Sequence, residues 1–219
     1  VIPVAILVVA KAPVPGLAKT RIAETVGADI AADIAAAALL DTLDAVAAAP
    51  VAARIVALTG DLDAAARRAE LTQRLADFTV IGQRGDGFAD RLANAHADVS
   101  AAYGLPVLQI GMDTPQVTAD LLADCARSLL TADAVLGLAG DGGWWVLGVT
   151  DPAAADCLRR VPMSRADTGA VTLAALRDTN VNVTLVAELN DVDTVADIDA
   201  VRRACRADGR FARATAGLP

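Results

Sequence analysis

Val4-Ala-Ile-Leu-Val-Val-Ala10, followed by Lys11-Ala-Pro-Val-Pro-Gly-Leu-Ala-Lys-Thr-Arg21, decides how the rest of the chain is read. The first part is a continuous apolar run rich in β-branched residues, the pattern of a parallel strand covered on both faces. The second part is a Pro/Gly loop that holds Lys11 and Lys19, the only lysines of the chain, against 17 arginines in all. Gly16 leaves backbone donors open to approach. The spacing predicts a short helix from Thr20, placed as its cap, and the helix dipole also favours an anion there. Lys11, Lys19, Thr20 and Arg21 with the Gly16 backbone therefore form a candidate phosphate grip. Each charge-assisted hydrogen bond in such a grip contributes roughly 1.5–3 kcal/mol. It is not a Walker loop, which needs Gly directly before Lys-Thr; Ala18 stands there, and Gly16 is wrongly spaced. A solvated basic turn is the competing reading, and it leaves the pairing of the two lysines unexplained.

Working outward, Gly27 breaks the short helix before a long Ala-rich helix over 28–48, closed by Pro50. Strands are predicted at 54–58, 78–81, 107–110, 134–139, 144–149 and 181–186. Helices are predicted at 63–76, 88–102, 118–130, 152–159, 167–178 and 195–207, and residues 208–219 read as a loose tail. The runs at 134–139 and 144–149 flank Gly140-Asp-Gly-Gly143, a hairpin spacing that introduces an antiparallel strand. The alternation predicts a single α/β domain over 1–207, a three-layer sandwich with a mostly parallel, mixed sheet. Ligands of such sheets bind outside the carboxyl ends of the strands, at the switch in strand order.

Composition narrows the function. The chain has 219 residues, 55% of them hydrophobic and 3% aromatic, with mean hydropathy +0.46, enough for one buried core of Val, Ile, Leu and Ala. A net charge of -8 argues against nucleic-acid or anionic-membrane partners. The opening apolar run is too short to span a bilayer, and Cys125, Cys157 and Cys205 show no metal spacing. These features predict a cytoplasmic protein with reduced thiols. His96 is the one histidine, which disfavours Ser-His or Cys-His catalysis and reads as a packing residue.

Asp113 leaves a strand and precedes Thr-Pro, which holds its carboxylate at the ligand edge. One aspartate among 24 means little alone. A second, Asp191 or Asp193, lies on another turn, and two carboxylates with phosphates and waters complete an octahedral shell for Mg²⁺. Helix capping by Asp193 or Thr194 competes with that reading of the second turn. Asp141-Gly-Gly-Trp-Trp145 gathers both tryptophans of the chain; strand alternation turns one inward and leaves the other to stack on a sugar or base. Gln83 to Gly87 is a flexible loop that suits a nucleobase.

Lys-Ala-Pro-x-Pro-Gly-x-x-Lys-Thr-Arg at 11–21, Gln-x-Gly-Asp at 83–86 with Arg91 following, Gly-x-Asp-x-Pro at 111–115, Asp-Gly-Gly-x-Trp at 141–145 and Asp-Val-Asp-Thr at 191–194 occur in that order. The combination, spanning about residues 4–205, resembles an uncharacterised glycosyltransferase-like family. That family belongs to the GT-A (nucleotide-diphospho-sugar transferase) superfamily and is related to molybdopterin- and phospholactate-type nucleotidyltransferases. The resemblance implies a GT-A, Rossmann-like fold and a nucleotide or nucleotide-sugar donor. It implies that Lys11, Lys19 and Arg21 meet donor phosphates, that Gln83 and Gly85 meet the base, and that Asp113 and Asp193 hold Mg²⁺ or Mn²⁺. Lys19, Arg21 and Asp113 then carry the catalysis. Asp141, Gly142, Gly143, Trp145 and Ser164 border a small-molecule acceptor. The expected activity is glycosyl transfer, with nucleotidyl transfer to a phosphorylated acceptor and non-catalytic nucleotide binding as the alternatives.

Overall fold

A computed structural model describes residues 1–218. Seven strands, β1 (Ile2–Lys11), β2 (Val51–Thr59), β3 (Thr79–Gly82), β4 (Val107–Ile110), β5 (Ala134–Leu138), β6 (Trp144–Val149) and β7 (Val183–Leu185), form one sheet in the order β3-β2-β1-β4-β6-β5-β7. β6 alone runs antiparallel, inserted between β4 and β5, which makes the sheet mixed as the hairpin spacing predicts.

Alternation along β1 feeds two cores. Val4, Ile6 and Val8 face α2 (Ala28–Ala48) and α5 (Ala119–Leu129), meeting Leu39, Leu40, Leu43 and Leu122. Ala5, Leu7 and Val9 face the opposite layer, α4 (Phe88–Tyr103) and α6 (Pro152–Ala155), with α7 (Thr168–Arg177) closing it through Leu176. A strand buried on both faces needs no polar alternation, which is why its run is continuous. The molecule is thus the predicted three-layer α/β sandwich.

A third cluster sits at the edge of the α2 layer. Ile22 of α1 (Thr20–Val26), Ile34 and Ala38 of α2, and Ile198 and Val201 of α8 (Val195–Ala204) pack around Val192 and Phe211. Phe211 belongs to α9 (Arg210–Ala214), where a loose tail is expected from sequence. Asp41 of α2 accepts the backbone N–H of Arg210 at 3.0 Å and of Phe211 at 2.8 Å, supplying the cap that Gly209 cannot. With Phe211 fully buried, the segment is ordered by α2 rather than by its own propensity.

The helix expected at 63–76 is divided. A 3₁₀ turn at Leu62–Ala64 precedes α3 (Arg68–Leu75), with Arg67 at φ 51° between them. Bidentate bonds from Arg67 to Asp33 at 2.7 and 2.8 Å hold that left-handed residue in place. Among the described residues no helix is long and apolar enough to cross a membrane.

Candidate functional site

The chain moves from β1 outward to β2 and β3, then returns to β4 on the other side of β1. The switch in strand order therefore falls between β1 and β4, and the segments leaving their carboxyl ends, 12–19 and 111–118, border one crevice. Asp113 enters it directly after β4. The other acidic turn is aimed by its core residue: Val192 is 1% exposed in the third cluster, so its neighbours Asp191 and Asp193 face the opposite way. A capping box fixes the turn, since Asp197 Oδ2 accepts from the N–H groups of Asp193 (3.1 Å) and Thr194 (2.7 Å). Thr194, not Asp193, is thus the cap of α8, and the Asp193 carboxylate is left for the crevice.

One oxygen from each of Asp113, Asp191 and Asp193 lies within 4.8 Å of the others. Three half-buried carboxylates are hard oxygen donors of the kind that hold Mg²⁺ or Mn²⁺. Both candidates for the second carboxylate therefore belong to the cluster, Asp191 as well as Asp193.

A positive side chain already occupies the gap. Lys19 Nζ donates to Asp113 Oδ2 at 2.7 Å and to Asp193 Oδ1 at 2.8 Å, and Arg21 Nη1 stands 3.7 Å from Asp193 Oδ2. Lys19 is expected against donor phosphate; here opposite charge in a half-buried setting draws it onto the carboxylates. It also replaces Thr20 at the cap position of α1, at φ 46° and with no side-chain cap bond. A left-handed non-glycine residue costs roughly 1–2 kcal/mol, and the two ion pairs hold it there.

The charges shift one another accordingly. Burial works against the Lys19 ammonium, yet Asp113 and Asp193 together hold its pKa above the ordinary lysine value. Burial likewise pushes Asp193 up, but Lys19 and Arg21 outweigh it and keep the carboxyl below the usual range. Asp191 has no such direct partner; burial first, then the fields of Asp113, Asp141 and Asp193, push it up to about 7. The trio is thus a site in which one member resists ionisation until a cation arrives.

Two cavities open on the cluster. The smaller, about 250 Å³, is bounded by Lys11, Leu17, Lys19, Thr20, Arg21 and Asp193. Lys11 Nζ donates to Leu17 O at 2.9 Å, closing the loop on itself, and Gly16 at φ 77° makes the turn. The larger, about 580 Å³, brings Asp141, Gly143 and Ser164 together with all three carboxylates. Gly142 lies beneath it, where a Cβ would collide with the carbonyl oxygen of Ala166; that close approach docks the Ser164 loop on the hairpin turn.

Three expectations meet a different placement. Trp145 is 2% exposed, with its indole N–H donating to Ala187 O at 2.8 Å, so it is a core residue; Trp144 lines the cleft instead. Alternation requires one of each, and pairing of Trp144 with Leu138 across a bulge selects which. Gln83 spends its amide nitrogen on Ala10 O (2.8 Å) and Ala57 O (2.9 Å), tying β1 to β2, and lines neither cavity. Gly85 also lies outside both, at φ 130° under Asp90 and Arg91. His96 is fully buried with neither ring nitrogen bonded, and burial pushes its pKa down to about 3, as suits a packing residue.

Sequence reasoning passes over Gln109. It is 1% exposed on β4, lines the larger cleft, and its Oε1 has no hydrogen-bond partner. An unpaired buried carbonyl costs about 1–3 kcal/mol. The signal was a lone amide in the strand Val107-Leu-Gln-Ile110.

Comparison with solved structures gives the fold its relatives. The chain is similar to a Desulfovibrio desulfuricans G20 protein provisionally named a nucleotide-diphospho-sugar transferase, with TM-score 0.85 and 25% identity over 98% of this chain and 94% of that one. Rv0371c of Mycobacterium tuberculosis H37Rv, solved with manganese, matches with TM-score 0.56 and 17% identity over 91% and 97%. CMP:2-keto-3-deoxy-manno-octonic acid synthetase complexed with CTP matches with TM-score 0.52 and 13% identity over 91% and 97%. No curated protein matches the chain. A family model covers residues 42–165, which carry β4, Asp113, the hairpin turn and Ser164: the chain belongs to DUF2064, the family described as an uncharacterized protein conserved in bacteria.

Proposed function

We propose that the protein is a metal-assisted transferase using a nucleotide-activated donor, and that the group it transfers is a sugar from a nucleotide-diphospho-sugar. The observation that carries the reading is the convergence of Asp113, Asp191 and Asp193 on Lys19 at the switch in strand order. The name of the Desulfovibrio relative supports the donor class.

Asp113, Asp191 and Asp193 would hold a divalent cation, which as a Lewis acid neutralises charge on a diphosphate leaving group. Lys19, released from Asp113 and Asp193 as the cation takes their oxygens, and Arg21 stabilise that same charge as it develops. Lys11 binds the phosphates through the smaller cavity, which Lys19, Thr20 and Arg21 also line. An acceptor oxygen in the larger cleft, beside Gly142, Gly143 and Ser164, attacks the anomeric carbon. The bond from that carbon to the β-phosphate oxygen breaks, the nucleoside diphosphate leaves with the electron pair, and Asp141, a cleft carboxylate outside the trio, takes the acceptor proton.

The smaller cavity favours a second reading. Lys11, Lys19 and Arg21 around about 250 Å³ suit the tail of a triphosphate, and the synthetase relative was solved with CTP. In that reaction an acceptor phosphate attacks the α-phosphorus and pyrophosphate leaves. Incubation with Mg²⁺ separates the two. We expect metal-dependent release of nucleoside diphosphate from a nucleotide-sugar panel; pyrophosphate release from nucleoside triphosphates, without sugar-nucleotide turnover, overturns glycosyl transfer.

A further inference from the structure

Gln109 interrupts an apolar face. It pairs in register with Leu7 of β1 and Leu147 of β6, on the side of the sheet otherwise built from Ala5, Val9 and Val107. Its carbonyl oxygen is buried without a partner among the described residues, and its side chain lines the larger cleft. The lining beside it is apolar, from Val9, Phe88, Leu92 and Trp144. An amide in such a place is satisfied by whatever fills the cleft.

The charges around the cleft restrict what that is. The carboxylates of Asp113, Asp141, Asp191, Asp193 and Asp197 line it, against only Arg21 and Arg165 among the described residues. Arg21 stands at the carboxylate trio, 3.7 Å from Asp193. Arg165 is turned onto Asp167, donating through Nε at 3.1 Å. The Gln109 end thus offers no unengaged cation to a phosphate ester, and Asp141 and Asp197, the two cleft carboxylates outside the trio, repel one.

We propose that the second substrate of this cleft is an uncharged, hydroxyl-bearing acceptor, one hydroxyl of which bonds to Gln109. The inference rests on the transferase reading and specifies its acceptor class. A hydroxyl both donates and accepts, so it satisfies the unpaired Oε1; an ionised phosphate oxygen only accepts, so it meets the amide NH2 at best and leaves Oε1 unpaired. The apolar walls receive the carbon skeleton, with Trp144 as the broad surface against which a sugar or polyol ring lies. Gln109 is in this account a specificity-determining residue.

The test uses the full chain with Mg²⁺ and a nucleoside diphosphate, titrated with matched probes: glycerol and glycerol 3-phosphate, glucose and glucose 6-phosphate, myo-inositol and its 1-phosphate. Saturation-transfer NMR reads each affinity in wild type, Gln109→Leu and the near-isosteric Gln109→Met, so that a folding defect in one variant does not decide the result. We expect at least one unphosphorylated probe to bind, its phosphate ester to bind at least tenfold more weakly, and both substitutions to weaken the unphosphorylated probe at least tenfold while nucleotide affinity stays within twofold. A phosphate ester that binds more tightly than its parent, no binding by any parent, or unchanged parent affinity in the variants overturns the proposal. Failure of the nucleotide itself to bind overturns the donor reading and the inference with it; normal nucleotide binding with preferred phosphate esters overturns the inference alone.

Discussion

The two ends of the larger cleft treat polar groups in opposite ways. At the Asp113 end, Lys19, Arg21 and Asp193 are paired by the protein itself, and the acidic turn is clamped by its own capping box. At the β4–β6 end, Gln109 has an oxygen with no partner among apolar side chains. The first end is preorganised by its own ion pairs; the second leaves one hydrogen bond unmade within the protein. The contrast teaches that polar groups are held differently along one cleft: as competing charge at one end, as unmet hydrogen bonding at the other.

The contrast breaks most severely if the support under the charged end is removed. Phe211→Ala empties a fully buried socket shared with Val192, and large-to-small changes of this kind cost about 3–5 kcal/mol. We expect that loss in denaturant unfolding, together with weaker Mn²⁺ binding as the Asp191–Asp193 turn loosens; a variant that loses stability but binds Mn²⁺ as wild type does would separate the clamp from the site. Next in size is Lys19→Ala, which should lower turnover by about 10²–10³ through loss of one charge-stabilising donor. Its melting temperature should also fall in chelator and recover with Mg²⁺, because Asp113 and Asp193 then face each other without a counter-ion. A change confined to KM would make Lys19 a ground-state anchor only.

Acidity sharpens the same end. Asp191 titrates near 3.8 when unfolded and at about 7 in the native state, so ionising it in place carries a penalty. That penalty is absent below pH about 4, grows through the interval and is complete above pH about 7. Stability in chelator should therefore fall as pH rises from about 4 to 7, while Mn²⁺ affinity rises over the same range because the ion needs the carboxylate. Asp191→Asn should flatten both slopes in thermal melts and metal titrations. The smallest effect belongs to the other end. Gln109→Leu removes an unpaired oxygen and should raise stability by about 1 kcal/mol, a shift of about 2–4 °C in Tm; a lower Tm would mean that the amide serves the fold instead of a ligand.

Much of this was legible in the chain. The continuous run at Val4–Ala10 gave away a doubly covered strand, and Gly140–Gly143 between two apolar runs announced β6, because both signals are local. Asp113 and the Asp191–Asp193 turn were visible as strand-exit carboxylates. What stayed hidden depends on partners distant in sequence. The carboxylates that hold Lys19 lie 94 and 174 positions away, so a lysine near a Pro/Gly loop reads as a free phosphate grip. Arg210–Ala214 carries no apolar stripe, and its helix exists because Asp41 caps it and α2 receives Phe211. Alternation required one tryptophan inside and one outside, but only the register against β5 assigned Trp145 to the core.

The central claim is that the carboxylate trio serves a nucleotide donor through a divalent cation. Isothermal titration of a nucleotide-diphospho-sugar panel into wild-type protein and Asp113→Ala, each with Mg²⁺ and with chelator, tests it most directly. The account predicts binding of at least one nucleotide-sugar by the wild type only when Mg²⁺ is present, and none by the variant under either condition. Equal affinity with and without Mg²⁺, or unchanged binding by Asp113→Ala, would contradict it.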